Sequence, residues 1–97
     1  KCYSKKLIDF ALQDMDEFYC NMSEDAYFTS IFYYYSNTVK HIDDILYYYV
    51  DLCGMTAENN VSLESMIRNC DSIDAKSNHL KKFYHDKNID YDFAIDY

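Results

Sequence analysis

The sequence contains no proline, no tryptophan and a single glycine, Gly54, among its 97 residues. A β-sandwich or β-barrel of this length needs many turns, and turns depend on glycine and proline. A glycine-rich phosphate loop or dinucleotide-binding turn cannot be built with one glycine. These absences favour long helices joined by few loops, and apolar residues at 49% supply the material for a core.

Positive charge is also scarce, with 9 Lys and Arg against 17 Asp and Glu and a net charge of -8. This balance argues against nucleic acid and anionic membranes as partners, because both attract clustered basic residues. No apolar run approaches the roughly 20 residues of a membrane-spanning helix, so we expect no membrane insertion. The chain begins at Lys1 rather than methionine, which indicates a mature fragment or a shortened chain. Together with the four cysteines, this leads us to expect a secreted, extracellular protein whose signal peptide has been removed.

Apolar residues recur at spacings of three and four and predict three helices, at about 4–20, 24–53 and 61–85. The second would be roughly 45 Å long, starting after Ser23 and ending at Gly54. Its weakest point is Ser36–Thr38, where it could bend. We expect one all-α domain over 1–97, a small antiparallel bundle of three helices. An acidic, aromatic tail at 86–97 completes it.

The four cysteines, Cys2, Cys20, Cys53 and Cys70, lack the close pairing of a zinc site or a redox motif. In a short secreted chain they predict two disulfides, and the alternative is four free thiols in a cytosolic helical protein. Cys2 and Cys20 would lie roughly 27 Å apart along the first helix. Cys20 and Cys53 would flank opposite ends of the second, although a disulfide needs Cα atoms within about 7 Å. This leaves Cys2–Cys53 with Cys20–Cys70.

Two glycosylation sequons accompany the cysteines, at Asn21-Met22-Ser23 and Asn60-Val61-Ser62. Both fall at predicted loop or cap positions, where a glycan is tolerated. The alternative is that Asn21 and Asn60 are capping residues.

No arrangement of residues indicates catalysis. The serines lack a glycine-rich nucleophile elbow, and no histidine stands at the spacing of a helical metal site. His41 and Asp44 are three residues apart on the predicted second helix, a spacing more typical of a surface hydrogen bond than of a base and its orienting group. We expect a non-enzymatic protein with no catalytic residue, no metal site and no cofactor.

The tyrosines form two triplets, 33–35 and 47–49, on one face of the predicted second helix. The last tyrosine of each triplet belongs to the core and the first points outward. Tyrosine is enriched at interface hot spots. The candidate partner-binding residues are Tyr33, Tyr34, Tyr47 and Tyr48. The alternative is that these rings rest on the bundle with their hydroxyls in water.

Cys2-Tyr3 and Tyr19-Cys20 outline one cysteine–tyrosine–cysteine segment, and Cys53 and Cys70 outline a second, although no tyrosine adjoins either of them. In this respect the sequence resembles the aphid gall-associated "bicycle" proteins, which are secreted insect effectors. The resemblance implies a non-enzymatic effector that acts on host plant cells through an unidentified host protein. A homodimer is a further option, since exposed tyrosine faces suit dimer surfaces. The alternative function is a secreted helical carrier of a small apolar ligand, similar to odorant-binding proteins, with an aromatic-lined pocket.

Overall fold

A computed structural model describes residues 1–50 and 62–90 of the chain. Within these ranges the chain forms three α-helices and no strand, which confirms the all-α class for the described part. The helices are α1 (Lys5–Ala11), α2 (Glu24–Tyr35) and α3 (Leu63–Asp86), and a 3-10 turn at Leu12–Asp14 follows α1. Cys53 and the predicted linker 54–60 with Asn60 lie outside the described residues, as does the tail from 91 onward.

The first helix is much shorter than the predicted 4–20. Ser4 caps it, since its Oγ accepts a hydrogen bond from the Leu7 N–H at 3.2 Å. After the 3-10 turn the backbone becomes extended at Met15, with φ -93° and ψ 133°. The prediction of one helix to residue 20 is therefore wrong.

The reason lies in the contacts with α3 and its C-cap Lys87. They are made by every second residue from Asp14 into the linker 15–23, the segment that joins the 3-10 turn to α2. The Asp14 carboxylate accepts from Lys87, the Asp16 carboxylate accepts from Lys82 and contacts His79, and Cys20 Sγ lies 3.6 Å from the Ser72 carbonyl oxygen. Phe18 also stacks on His79. In an extended chain, residues two apart point the same way, whereas in a helix they lie about 200° apart. Residues 15–20 are not helical, and a backbone that leaves the helix at Met15 can bring all these side chains to one neighbour, whereas a continuous helix cannot.

The lengths of the two segments also match. From Asp14 to Cys20 an extended chain covers about 20 Å, and from Ser72 to Lys87 a helix covers about 22 Å. The contacts run in opposite order along the two, so the linker lies antiparallel to α3.

The second helix begins where predicted and ends at Tyr35, not at 53. Its terminus coincides with the weak point at Ser36–Thr38: Ser36 has ψ 127°, and its Oγ donates to the Phe32 carbonyl at 2.6 Å. Serine, asparagine and threonine compete for backbone hydrogen bonds in this way and favour helix ends. Residues 36–50 are not helical, so the prediction of a long central helix is wrong over this range.

The third helix agrees closely with the predicted 61–85. Ser62 Oγ accepts from the Ser65 N–H at 3.1 Å at its start. At its end Asn88 has φ 56°, Asn88 N–H donates to the His85 carbonyl, and Ile89 N–H donates to the Tyr84 carbonyl at 2.9 Å. This is the hydrogen-bond pattern of a Schellman motif, with asparagine in the left-handed position that glycine often takes.

The buried core lies between α1, α2 and the C-terminal half of α3. Its members come from all three helices: Ala11, Tyr27, Ile31, Phe32, Leu80, Phe83 and Tyr84. Ile31 is completely buried, and its burial contributes on the order of 2 kcal/mol by transfer of its side chain from water.

Candidate interaction surface

All four tyrosines predicted to bind a partner are exposed, but they do not share one helix face. Tyr33 and Tyr34 lie on the last turn of α2, at 49% and 42% exposure. Tyr47 and Tyr48 lie in the non-helical residues beyond it, at 79% and 82%. Because α2 ends at Tyr35, the prediction that both tyrosine triplets lie on one face of a single helix is wrong. Tyr35 is half-buried and Tyr49 is exposed, so the predicted core role holds only in part.

Every residue of 37–50 is exposed, and we call this stretch the exposed segment. Its large apolar side chains are all accessible: Val39, Ile42, Ile45, Leu46, Tyr47, Tyr48, Tyr49 and Val50. Isolated exposed apolar residues are normal on soluble proteins, whereas a run of them in one stretch of chain makes that stretch a candidate interaction surface.

The first half of α3 carries a second exposed apolar group, formed by Leu63, Met66, Ile67 and Ile73. These residues are part of the predicted core stripe, which would have packed on the second half of a long central helix. Because the chain is not helical over 36–50, that stripe has no such neighbour. The face of α3 that is buried instead carries Ser72, Lys76, Leu80, Phe83 and Tyr84.

The cysteines of the described residues do not form the predicted disulfides. Cys2, Cys20 and Cys70 are free thiols, and Cys53 lies outside the described residues. Cys20 does reach α3, but at Ser72, and its Sγ donates to the Met22 carbonyl at 3.1 Å. Cys70 is two residues from Ser72 on α3, about 200° around the helix. It therefore lies on the exposed side, away from the face that meets Cys20.

Asn21, the sequon residue that the structure describes, is bound to α3. Its side-chain Oδ1 accepts from Ser72 Oγ at 2.5 Å, and its backbone N–H donates to the same Oγ at 3.3 Å. Asn21 thus joins the linker to a buried serine, a role that the sequon did not indicate. Glycosylation at Asn21 and Asn60 stays a prediction.

The densest polar group surrounds Asp16 and was missed by sequence reasoning. Its carboxylate lies 2.9 Å from His79 Nδ1 and 3.0 Å from Lys82 Nζ. Its backbone N–H donates to the buried Tyr27 hydroxyl at 3.2 Å, and Phe18 stacks on His79 with ring centroids 4.0 Å apart. The hydrogen bond to His79 and, to a smaller extent, the one to Lys82 lower the pKa of Asp16 below its ordinary value of 3.8. Only the helical pattern of α3 could have placed His79 and Lys82 near each other, and nothing in the sequence indicated Asp16.

This group resembles the base-and-orienter pair of hydrolases, because a carboxylate fixes an imidazole. A nucleophile is also needed within hydrogen-bond reach of the imidazole. In the part of the chain that the structure describes, His79 bonds to Asp16 and to no serine or cysteine hydroxyl or thiol. The contacts that the group does make join the linker between α1 and α2 to α3. The His41 and Asp44 pair does not form; His41 bonds to Asp43 at 3.1 Å on the exposed segment.

Three or more metal-ligating side chains do not gather at any point of residues 1–50 and 62–90. None of the three described helices combines the length and the apolar character needed to cross a membrane. No family model, curated protein or solved structure matches the chain.

Proposed function

We propose that this protein is a secreted, non-enzymatic interaction protein that binds a protein partner through the exposed segment and the adjoining Tyr33 and Tyr34. The observation that carries the proposal is the exposure of eight large apolar side chains over residues 39–50. Tyrosines contribute large contact area at low entropic cost, which suits Tyr47 and Tyr48 to a binding role.

Affinity capture from host tissue tests the proposal with three proteins. These are the wild type, the double variant Tyr47→Ala with Tyr48→Ala, and the control Tyr19→Ala, whose ring is 76% exposed but lies outside the surface. A partner retained by the wild type and the control but lost by the double variant supports the proposal. Equal retention by all three would exclude this surface as the binding site.

The proposed secreted location rests on the two sequons, since the cysteines that the structure describes are free thiols. Expression behind a signal peptide in insect cells, followed by enzymatic deglycosylation, tests it at Asn21 and Asn60. A mass decrease that Asn21→Gln and Asn60→Gln abolish would support an extracellular protein. An effector role in plant cells is the narrower form of this proposal and depends on the identity of the partner.

A second copy of the chain is the other candidate partner. Sedimentation at increasing concentration detects it, since a dimer lost in the Tyr47 and Tyr48 variant would place the exposed segment between copies. A carrier would need a separate site, and a surface groove of about 740 Å³ lined in part by Leu12, Met15, Phe18 and Phe28 is the candidate. Native mass spectrometry would detect a co-purified apolar ligand there.

A further inference from the structure

The tyrosines of the described residues differ in whether their hydroxyls are engaged. The Tyr27 hydroxyl accepts a hydrogen bond from the Asp16 N–H, and the Tyr35 hydroxyl donates to Asp14. The Tyr47 hydroxyl bonds to no residue that the structure describes, and its side chain is largely exposed. It is therefore available to an enzyme that acts on the phenol oxygen.

The backbone of the exposed segment is not hydrogen-bonded to the rest of the described chain. Residues 37–50 form neither helix nor strand, and none of their backbone groups bonds to a described residue. The hydrogen bond that the segment does show joins two of its own side chains, His41 and Asp43. An enzyme can therefore enclose this stretch without breaking a backbone hydrogen bond of the described fold, which is what makes exposed loops accessible to enzymes.

Two carboxylates precede Tyr47 at short distance in the chain. Asp43 and Asp44 stand four and three residues before it, and both are exposed. Carboxylates beside a hydroxyl favour a modifying enzyme whose peptide-binding groove is basic, because complementary charge steers the encounter and fixes the register. Tyr48 and Tyr49 are one and two residues further from the two carboxylates, so Tyr47 is the best placed of the three.

Tyr19 is the tyrosine that matches Tyr47 in its sequence context. The two side chains are 76% and 79% exposed, and Asp16 and Glu17 stand three and two residues before Tyr19. A rule based only on exposure and nearby carboxylates would therefore select both tyrosines.

The fold separates the two tyrosines, because the residues on both sides of Tyr19 are attached to α3. Phe18 stacks on His79 with ring centroids 4.0 Å apart, and the backbone N–H of Asn21 donates to Ser72 Oγ at 3.3 Å. An active site that encloses the chain on both sides of Tyr19 must first break these contacts, which requires local opening of the structure. The exposed segment needs no such opening.

We propose that Tyr47 is a site of O-sulfation by a sulfotransferase that uses phosphoadenylyl sulfate. The phenol oxygen attacks the sulfur, the bond from sulfur to the bridging phosphate oxygen breaks, adenosine bisphosphate leaves, and the phenol proton passes to a base of the transferase. Sulfation is favoured over phosphorylation because tyrosine sulfotransferases select tyrosines by nearby carboxylates and act in the secretory pathway. Sulfation in the organism therefore rests on the proposed secreted location.

Incubation of the purified full chain with a tyrosine sulfotransferase and phosphoadenylyl sulfate tests the site, with peptide mass spectrometry as the measurement. Two synthetic peptides, spanning 12–23 and 40–50, report the rates without the fold. We expect the ratio of the Tyr47 rate to the Tyr19 rate to be at least about tenfold higher in the full chain than in the peptides, because the peptides need no local opening. Tyr47→Phe, which lacks only the hydroxyl, should lose the sulfate, and Tyr19→Phe is the matched control that keeps it.

Asp43→Asn with Asp44→Asn removes both charges, and we expect it to slow sulfation of Tyr47 at least about fivefold, whereas Asp74→Asn on the exposed side of α3 should leave the rate unchanged. Equal rates in these two variants, or no sulfate on Tyr47 in the wild type, would overturn the proposal. Phosphorylation of Tyr47 by a tyrosine kinase and ATP, where the sulfotransferase fails, would also overturn it. The assay uses purified protein, so its failure is distinct from a failure of secretion, which the deglycosylation experiment measures.

Discussion

The Asp16 carboxylate lies 2.9 Å from His79 Nδ1, although 63 residues separate the two in the chain. Lys82, one turn further along α3, bonds to the same carboxylate at 3.0 Å. Together with the stacking of Phe18 on His79, these contacts attach the α1–α2 linker to α3. Two elements that are distant in sequence are thus joined by a charged group at the edge of the core.

Acid should weaken this connection. The pKa of Asp16 is lowered by its hydrogen bonds to His79 and Lys82, so its stabilising effect is present above its ordinary value of 3.8. The effect is lost as the pH falls through the lower pKa of the folded state. We expect Asp16→Asn to reduce the free energy of unfolding at pH 7 by on the order of 1 kcal/mol, and to reduce it less at pH 3. Urea unfolding at the two pH values measures this difference.

Glu17→Gln is the matched control for the acid experiment, because Glu17 is an adjacent and exposed carboxylate. Its substitution should leave the pH dependence as in the wild type. An Asp16→Asn variant that keeps the full wild-type loss of stability between pH 7 and pH 3 would show that this pair does not contribute.

Two isoleucines test where α2 ends. Ile31 is 0% exposed and Ile45 is 78% exposed, yet a continuous helix over 24–53 would place the two on one face, because fourteen residues are close to four helical turns. We expect Ile31→Ala to lower the free energy of unfolding by about 2–5 kcal/mol through loss of burial and formation of a cavity. Ile45→Ala should change it by less than about 0.5 kcal/mol. Chemical denaturation of the two variants measures both values, and similar losses would mean that Ile45 is packed as in a continuous helix.

Helix ends that depend on nearby residues could be predicted from the sequence. The helix end that depends on contacts between distant residues could not. The weak point at Ser36 and both ends of α3 follow from capping and turn preferences of nearby residues. The start of α2 agrees with the prediction, but Ser23 has φ 63° and makes no side-chain capping bond, so capping by its hydroxyl does not explain it. The end of α1 depends on the contacts of Asp14 with Lys87 and of Asp16 with His79. The apolar pattern of the sequence continues past both aspartates and gave no sign of this end. Tertiary contacts thus overrode the pattern there.

The candidate interaction surface could likewise be predicted from the sequence only in part. The exposure of Tyr33, Tyr34, Tyr47 and Tyr48 followed from tyrosine composition and spacing, but their shared face depended on a helix that ends at Tyr35. The bonds of Tyr35 and Lys87 to Asp14 could not be predicted, since they need the turn after α1, the end of α2 and the end of α3 in one place.

Two serines on α3 test the attachment of Asn21. Ser72 is buried and exchanges two hydrogen bonds with Asn21, whereas Ser77 Oγ donates only to the Ile73 carbonyl within its own helix. We expect Ser72→Ala to lower the free energy of unfolding by about 1 kcal/mol, and Ser77→Ala to change it by less than about 0.5 kcal/mol. Thermal or urea unfolding measures the difference. Equal effects would mean that the bond to Asn21 adds nothing to stability.

The thiols provide the sharpest test of how the linker meets α3. Cys2 and Cys70 are exposed, whereas Cys20 is half-buried and its Sγ bonds to the Met22 carbonyl. We expect a thiol reagent to label Cys2 and Cys70 of the native, unreduced protein first, and Cys20 more slowly, because access controls the reaction. Peptide mass spectrometry at successive times gives the order. Denaturation should equalise the rates of all three, which serves as the control. A peptide containing linked Cys20 and Cys70 would contradict the structure, because it would require α3 to turn its exposed side toward the linker.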